Sequence, residues 1–408
     1  MHLVPVDTYL TFGNGKKRPA DEGNGTFNVF GSNGVIGHCD EFNNPAGTII
    51  IGRVGSYCGS VHYSPEQCWV TDNAIKGTAK TGADARYCYY LLLTRDLHSL
   101  RGGSGQPLIN QTSLKSLEVP ERSFADQKAI AHILGTLDDK IELNQKMNQT
   151  LEEIAKAIFK SWFVDFDPVR AKAEGRPTGL PPEISDLFPD ELVDSEIGEI
   201  PEGWNQIEVV DLCDYVSSGG TPARKTQEYW TDGDIDWFKT GELRDRPLLH
   251  ALEQITNLGV EKSAAKLWQR HTILFAIYAS PTVGRLGYLT SPGTCNQAAA
   301  GLVAKQEIGM PFVFWTLFNA RKELQNIAVG AAQQNINVGI LKAHKCLEPT
   351  HDLIAIFSEF GLVIERRREL IEKENLILSE LRDTLLPKLI SGELRIPDAE
   401  KFLEEAGI

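Results

Sequence analysis

Two textures alternate along the chain. From residue 1 to about 120, short β-rich apolar runs such as Thr48-Ile49-Ile50-Ile51 are punctuated by Gly13-Asn14-Gly15, Gly23-Asn24-Gly25 and Ser32-Asn33-Gly34, turn signals that separate strands. Residues 204–350 repeat that style. Between about 124 and 163 no glycine follows Gly135 and no proline occurs, while Leu134, Leu137, Ile141, Leu151, Ile154 and Ile158 recur at helical spacing. That period predicts one face of a long helix, capped by Ser123 three residues ahead of Asp126 and roughly 55 Å long at 1.5 Å per residue. A second helix is predicted over about 351–386, with Phe357, Phe360, Ile364, Ile371, Leu378, Leu381 and Leu385 on one face. Pro387 should end or kink it, because proline disfavours α geometry in the residue before it.

Each helix exceeds what a small domain can cover, and each carries an apolar seam, so the two are expected to pack together as an antiparallel coiled coil. The seam is read as Leu137, Ile141, Asn144, Asn148, Leu151 and Ile158 on the first helix and Ile364, Ile371, Asn375, Leu378 and Leu385 on the second. A buried asparagine costs stability but fixes register; the alternative is that these asparagines are solvated. The expected fold class is α+β, with two duplicated mixed α/β domains at 1–122 and 204–350. Helices at 123–164 and 351–390 separate them, residues 165–203 form a Pro-rich acidic linker, and 391–408 form a tail.

The two globular blocks share more than style. Gly103–Lys115 reads GSGQPLINQTSLK and Gly330–Lys342 reads GAAQQNINVGILK, 227 residues apart with Gly, Gln, Ile, Asn, Leu and Lys in matching places. The register continues into the helices, where Leu137, Asn148, Leu151 and Ile158 fall opposite Ile364, Asn375, Leu378 and Leu385. A unit of this size exceeds the period of a solenoid repeat, roughly 20–50 residues, and marks a duplicated domain with its helix.

Charge and cysteines narrow the class. Of the net −14, residues 165–203 hold 11 acids against 3 bases and residues 391–408 hold 5 against 2, whereas 1–120 balance at 10 and 10 and 204–350 at 14 and 14. The acidity sits in the connection and the tail, so net charge neither supports nor excludes nucleic acid. Seven cysteines without regular spacing, and no C-x-x-C, argue against a disulfide framework or a zinc site. No run of eighteen apolar residues and no signal-peptide pattern appear, which points to a soluble, cytoplasmic chain.

Catalytic signatures are missing from the sequence: no phosphate loop, no G-x-S-x-G elbow, no H-E-x-x-H and no zinc-deaminase pattern. Asn43-Asn44-Pro45-Ala46 does not match the Asn/Asp-Pro-Pro-aromatic tetrapeptide of adenine methyltransferases. The chain is therefore expected to be non-catalytic, with no metal. Its loops instead offer cations and amides. Lys16, Lys17 and Arg18 follow one flexible turn, and Thr221, Arg224 and Lys225 follow another, as groups suited to phosphate contacts. Gln106 with Asn110, and Gln333, Gln334, Asn335 and Asn337, supply amides able to pair an adenine edge at two points. Ser32, Asn33, Arg53, Lys239 and Arg285 complete the candidates for DNA contact. The alternative for any of them is a backbone group satisfied within a tight loop.

The order of motifs resembles the specificity subunit of type I restriction–modification systems over essentially the whole chain. The stretches that carry the resemblance are Thr136–Gln145, Phe159–Phe166, Ile197–Trp204, Ser218–Pro222 and Leu385–Gly392. Ser32–Gly37 and Thr71–Ala74 resemble parts of the first recognition domain, and Asn296-Gln297-Ala298 a second copy of the latter. The first domain lacks the Pro-x-Gly-Trp lead-in that Pro201–Trp204 gives the second. The resemblance implies two target recognition domains, each reading one half of a bipartite asymmetric sequence in double-stranded DNA, with helices that set the gap. It implies two methyltransferase (M) subunits docked on the chain and restriction (R) subunits joining them. S-adenosylmethionine, ATP and Mg2+ are expected on those partners, with no cofactor on this chain and no membrane. A non-catalytic coiled-coil scaffold and a two-lobed ligand-binding protein without DNA specificity are the alternatives.

Overall fold

In the computed structural model, which describes residues 2–19, 25–102, 108–278, 281–329, 336–405 and 407, the chain packs as two units. Unit 1 comprises residues 1–143 and 376–408, and unit 2 residues 144–375. Both long helices, Phe124–Phe163 and His351–Ser391, contribute one half to each unit. The division thus runs through the helices and does not set them apart from the globular blocks.

Unit 1 has strands β1 (Leu3–Pro5), β2 (Leu10–Asn14), β3 (Phe27–Gly31), β4 (Gly34–Cys39), β5 (Thr48–Gly52), β6 (Val61–Ser64), β7 (Cys68–Val70), β8 (Ala74–Ala79) and β9 (Glu118–Pro120). They form sheets in the orders β2-β8-β5-β6, β4-β3-β7 and β1-β9, with β3·β7 parallel and the rest antiparallel. The run Ile49-Ile50-Ile51 is apolar throughout because β5 is covered on both faces. Ile49 and Ile51 join the main core with Tyr87, Leu91 and Leu137, whereas Ile50 points to Phe30, Val70 and Ala74. Of the expected glycine turns, Ser32-Asn33 closes the β3–β4 hairpin. Gly13-Asn14 instead continues β2, paired with Lys76 and Ile75. Gly23-Asn24 lies outside the described residues.

Unit 2 repeats this plan with strands β10 (Leu192–Ser195), β11 (Gly198–Pro201), β12 (Asn205–Glu208), β13 (Cys213–Ser218), β14 (Ile235–Phe238), β15 (Arg246–Leu248), β16 (Gln254–Ile255), β17 (Ile273–Ala276), β18 (Leu286–Leu289), β19 (Thr294–Cys295), β20 (Ala299–Ala304) and β21 (Lys345–Glu348). The order β13-β20-β17-β18 matches β2-β8-β5-β6, with β15 added at the edge. The parallel pair β14·β19 matches β3·β7, and β12·β21 matches β1·β9. Helices Ala85–Leu93 and Met310–Val329 follow β8 and β20 in turn, and short helices Gln111–Lys115 and Val338–Ala343 precede β9 and β21.

Within each unit the two long helices pair antiparallel. In unit 1, Leu134, Leu137 and Ile141 share a core with Leu378, Leu385, Leu389 and Ile390. In unit 2, Ala155, Phe159 and Phe163 meet Ile354, Phe357 and Ile364, with Leu151 and Ile158 partly buried beside them. Ile371 is buried as well. Asn144 and Asn375 are buried at the seam, Asn144 Nδ2 donating to Asn375 Oδ1 at 3.0 Å and to Glu374 Oε2 at 2.8 Å. Asn148 Nδ2 donates to Glu372 Oε1 at 3.0 Å. A cross-helix amide bond of this kind is satisfied in one register only. Ile154 and Phe360, expected on the apolar faces of the two helices, are 42% and 37% exposed. Ala155, next to Ile154, is buried, and Phe357, expected on the same face as Phe360, is buried as well.

Three other expectations change. Pro387 does not end the second helix; the helix runs on to Ser391, its last turn held by buried Leu389 and Ile390. Arg122 Nη2 donates to the carbonyls of those two residues at 3.4 and 3.2 Å. Residues 165–203, expected as a Pro-rich acidic linker, pack into unit 2. Phe166, Val169, Phe188 and Ile200 are buried, Phe188 meets Trp162 and Phe166 meets Trp204 edge-on, and β10–β11 forms a hairpin. Their average acidity conceals apolar residues at helical and turn spacing. The tail likewise holds a helix, Ile396–Glu405, with Ala399 and Leu403 buried four residues apart against the unit 1 core.

Candidate nucleic-acid interface

Both units end their main sheet in the same rim of loops. In unit 1 the amides of Gly15 and Lys16 donate to Ala74 and Val70, and Thr71 N donates to Phe30 O. Arg53 N donates to Asn73 O, and Arg53 O accepts from Ile109 N. In unit 2 the amides of Gly219 and Gly220 donate to Ala299 and Cys295, and Asn296 N donates to Phe238 O. Ile277 N donates to Ala298 O, and Ile277 O accepts from Ile336 N. The same four loop segments therefore meet through the same bonds. Glycine is required where they meet: a Cβ on Gly15 would lie 2.0 Å from Thr71 O, and one on Gly219 2.4 Å from Asn296 O.

In unit 1 the rim gathers several of the expected residues around the turn Thr71-Asp72-Asn73. Lys16 bridges to Thr71, Ser32 Oγ donates to Asn73 O at 2.5 Å and Arg53 Nη1 donates to Asp72 O at 3.4 Å. Arg18 Nη2 donates to Ile36 O at 3.2 Å, on the adjoining hairpin whose exposed tip carries Asn33. Lys16, Lys17 and Arg18 are exposed. His62, beside Gly34 and 3.2 Å from Ser60 Oγ, has its pKa lowered by burial.

In unit 2 Thr221 Oγ1 donates to Gln297 Oε1. Arg224 and Lys239 converge on one carboxylate, Glu253. Those bonds, from Arg224 first, hold the Glu253 carboxyl below its usual range. Trp230 and Trp237 stand under the Arg224 guanidinium. Lys225 is exposed, and Arg285 is half-buried at the start of β18. Tyr215, exposed in the first half of β13, has its hydroxyl pKa lowered by Ser217 and by Lys266, which lies over its ring.

The amides fare differently. Asn110 Oδ1 accepts from Ser113 N and Asn337 Oδ1 from Ile340 N, both at 2.8 Å, so each caps the short helix that follows it. In each, the carbonyl oxygen already accepts one backbone N–H, so capping the helix takes up part of the hydrogen-bonding capacity that a two-point adenine contact would use. Gln106, Gln333, Gln334 and Asn335 lie outside the described residues. Sequence reasoning did not single out Glu253, Trp230 or Trp237, which have no local signature. Thr71–Asn73 and Gln297 entered only through the resemblance.

In unit 1 a cavity of about 380 Å³ lies between Phe30, His62, Tyr89 and Asp138; in unit 2 one of about 250 Å³ lies between Phe163, Thr316, His344 and Cys346. Among the described residues, no helix is long and apolar enough to cross a membrane.

Comparison with known proteins agrees with this duplicated plan. The family model of the type I restriction modification DNA specificity domain matches twice, over residues 11–153 and 201–346. The type I restriction enzyme HindI specificity subunit of Haemophilus influenzae is 30% identical over 339 residues, 72% of each chain. The MjaIX specificity subunit of Methanocaldococcus jannaschii is 26% identical over 325 residues, 78% of this chain and 71% of that one. The crystal structure of the type I restriction–modification S subunit from M. genitalium superposes with a TM-score of 0.64 at 17% identity, over 95% of this chain and 96% of that one. With both halves matched, this chain belongs to the type I restriction–modification DNA specificity family.

Proposed function

We propose that this chain is the DNA sequence-specificity subunit of a type I restriction–modification complex. The observation that carries the reading is the rim built twice, by equivalent hydrogen bonds on domains of different sequence. Two like platforms with unlike side chains suit a target made of two unlike halves. The exposed Lys16, Lys17, Arg18 and Lys225 would contact phosphates and position each rim, while neighbouring loop side chains enter a major groove. The paired helices set the gap between the half-sites and offer docking surface to methyltransferase subunits, with restriction subunits joining separately.

The chain itself is non-catalytic in this reading. S-adenosylmethionine, ATP and Mg2+ act on the partner subunits, and the complex works in the cytoplasm.

The test is a methylome of a clean host expressing this chain with the methyltransferase of its own system, compared with the methyltransferase alone. Adenine methylation at a split, asymmetric motif that depends on this chain is the expected result. Its absence, with both proteins soluble and associated, sinks the reading.

A further inference from the structure

The loop after β13 carries a donor that is oriented before any ligand arrives. The Arg224 guanidinium carbon lies 3.7 Å from the centre of the Trp230 ring and 4.8 Å from that of Trp237. The two indoles meet edge to face, 5.1 Å apart at 88°. Both are tied to the same loop, Trp237 Nε1 donating to Gly220 O at 2.9 Å and Trp230 Nε1 to Ala223 O at 3.3 Å. Arg224 Nη1 then donates to Glu253 Oε2, and Lys239 Nζ pairs with Glu253 Oε1. Despite these contacts the Arg224 side chain is 51% exposed.

Three roles fit an arginine on such a rim, and the surroundings separate them. As a phosphate contact it is less suited: the Glu253 carboxylate that Arg224 shares with Lys239 would stand beside the phosphate and repel it, and of the two cations Lys239 is the simpler point charge. As a strut it is wasteful, because half of a strut's side chain need not face solvent. A base-edge reader needs direction more than charge. A stacked guanidinium has already lost much of the freedom that ordering would remove on binding. Its bond to Glu253 uses Nη1 and leaves the Nε–Nη2 edge for a second pair of acceptors. A guanine offers such a pair, O6 and N7, in the major groove.

We propose that Arg224 is a specificity-determining residue, held by the indole cage to read one guanine in the half-site recognised by unit 2. This rests on the DNA-specificity reading above. The test uses the full chain assembled with its methyltransferase subunits, and duplexes in which each guanine of the motif is replaced in turn by 7-deazaguanine, which lacks the N7 acceptor. One position should cost the wild-type complex roughly tenfold in affinity. The same replacement should make no difference to Arg224→Gln, and the sites methylated by that variant should admit other bases there. Arg224→Lys, which keeps the charge but presents no fork, should behave alike and serves if Arg224→Gln fails to fold.

A wild-type complex insensitive at every guanine overturns the inference. So does a variant that binds more weakly but keeps the same sensitive position, the pattern of a phosphate contact. Failure of both variants to fold makes Arg224 structural and overturns it too. If the wild-type complex prefers no sequence at all, the DNA-specificity reading itself fails.

Discussion

Arg368 sits in unit 2 with its side chain only 3% exposed, donating to both oxygens of Glu365 at 3.1 Å, to Glu152 at 2.8 Å and to the Asp245 carbonyl at 3.1 Å. Asp245 is held in the left-handed region at φ 58°, and its carboxylate accepts from Leu286 N and Arg321. One cation thus ties the second long helix to the first and to the β14–β15 connection. Removing it leaves two carboxylates short of a partner in a poorly solvated place, so Arg368→Met should lower unfolding stability by about 3–5 kcal/mol. Chemical denaturation would show it; an unchanged midpoint would mean that water reaches the site. Histidines make a second residue-scale prediction. Burial lowers the pKa of His62, His271 and His344 from the ordinary 6.5, with Arg270 adding to the effect at His271. The unfolded chain then takes up protons first as pH falls below about 6.5, so stability present above that pH declines toward the lower folded values. Denaturation at pH 7 and at pH 5.5 should show the loss, smaller in His344→Gln; identical curves would count against it. Apart from Glu365, three residues from Arg368 on the same helix, none of these partners was legible in sequence. Arg368 and Asp245 lie 123 positions apart, and no local pattern marks such a pair.

Among elements, the helices were the most readable. Their period is local, and Ser123 Oγ does accept from Asp126 N at 3.1 Å as the cap. What failed was the detail that neighbours decide. Ile154 and Phe360 are 42% and 37% exposed, while the buried residues Phe357, Ile364, Ile371, Leu378 and Leu385 keep the seven-residue step of the second helix. The acidic segment and the tail were misjudged for one reason: average polarity says nothing about a few apolar side chains that find a core. For the terminal helix this gives a measurable consequence. Ending the chain after Ser391 removes buried Ala399 and Leu403 from unit 1. Burial of a leucine side chain contributes roughly 1.5–3 kcal/mol, so the truncated chain should lose about that much. Hydrogen exchange in unit 1 should rise while unit 2 stays protected; a change confined to unit 2 would contradict the packing.

At the scale of the whole molecule the duplication is the organising fact, and it makes the units separable in function. Replacing residues 204–350 with the corresponding domain of another family member should change one half of the methylated motif and leave the other intact. A methylome in which both halves change would mean that neither rim reads on its own. Affinity for the target should also fall steeply with salt, as contacts from Lys16, Lys17, Arg18 and Lys225 release counterions; a flat titration would remove them from the backbone.

By itself the sequence determined the two long helices, the duplicated domains and the motif order that resembles the family, because period, turn chemistry and repetition are all written along the chain. Only the tertiary structure decided which loops form the rim, since Lys16, Arg53, Thr71 and Ile109 meet through sheet register and not through proximity in sequence. It also decided that Asn110 and Asn337 cap helices, and that Arg224 stands in an indole cage against Glu253. A polar side chain's role depends on which acceptor reaches it first, and that is settled by packing.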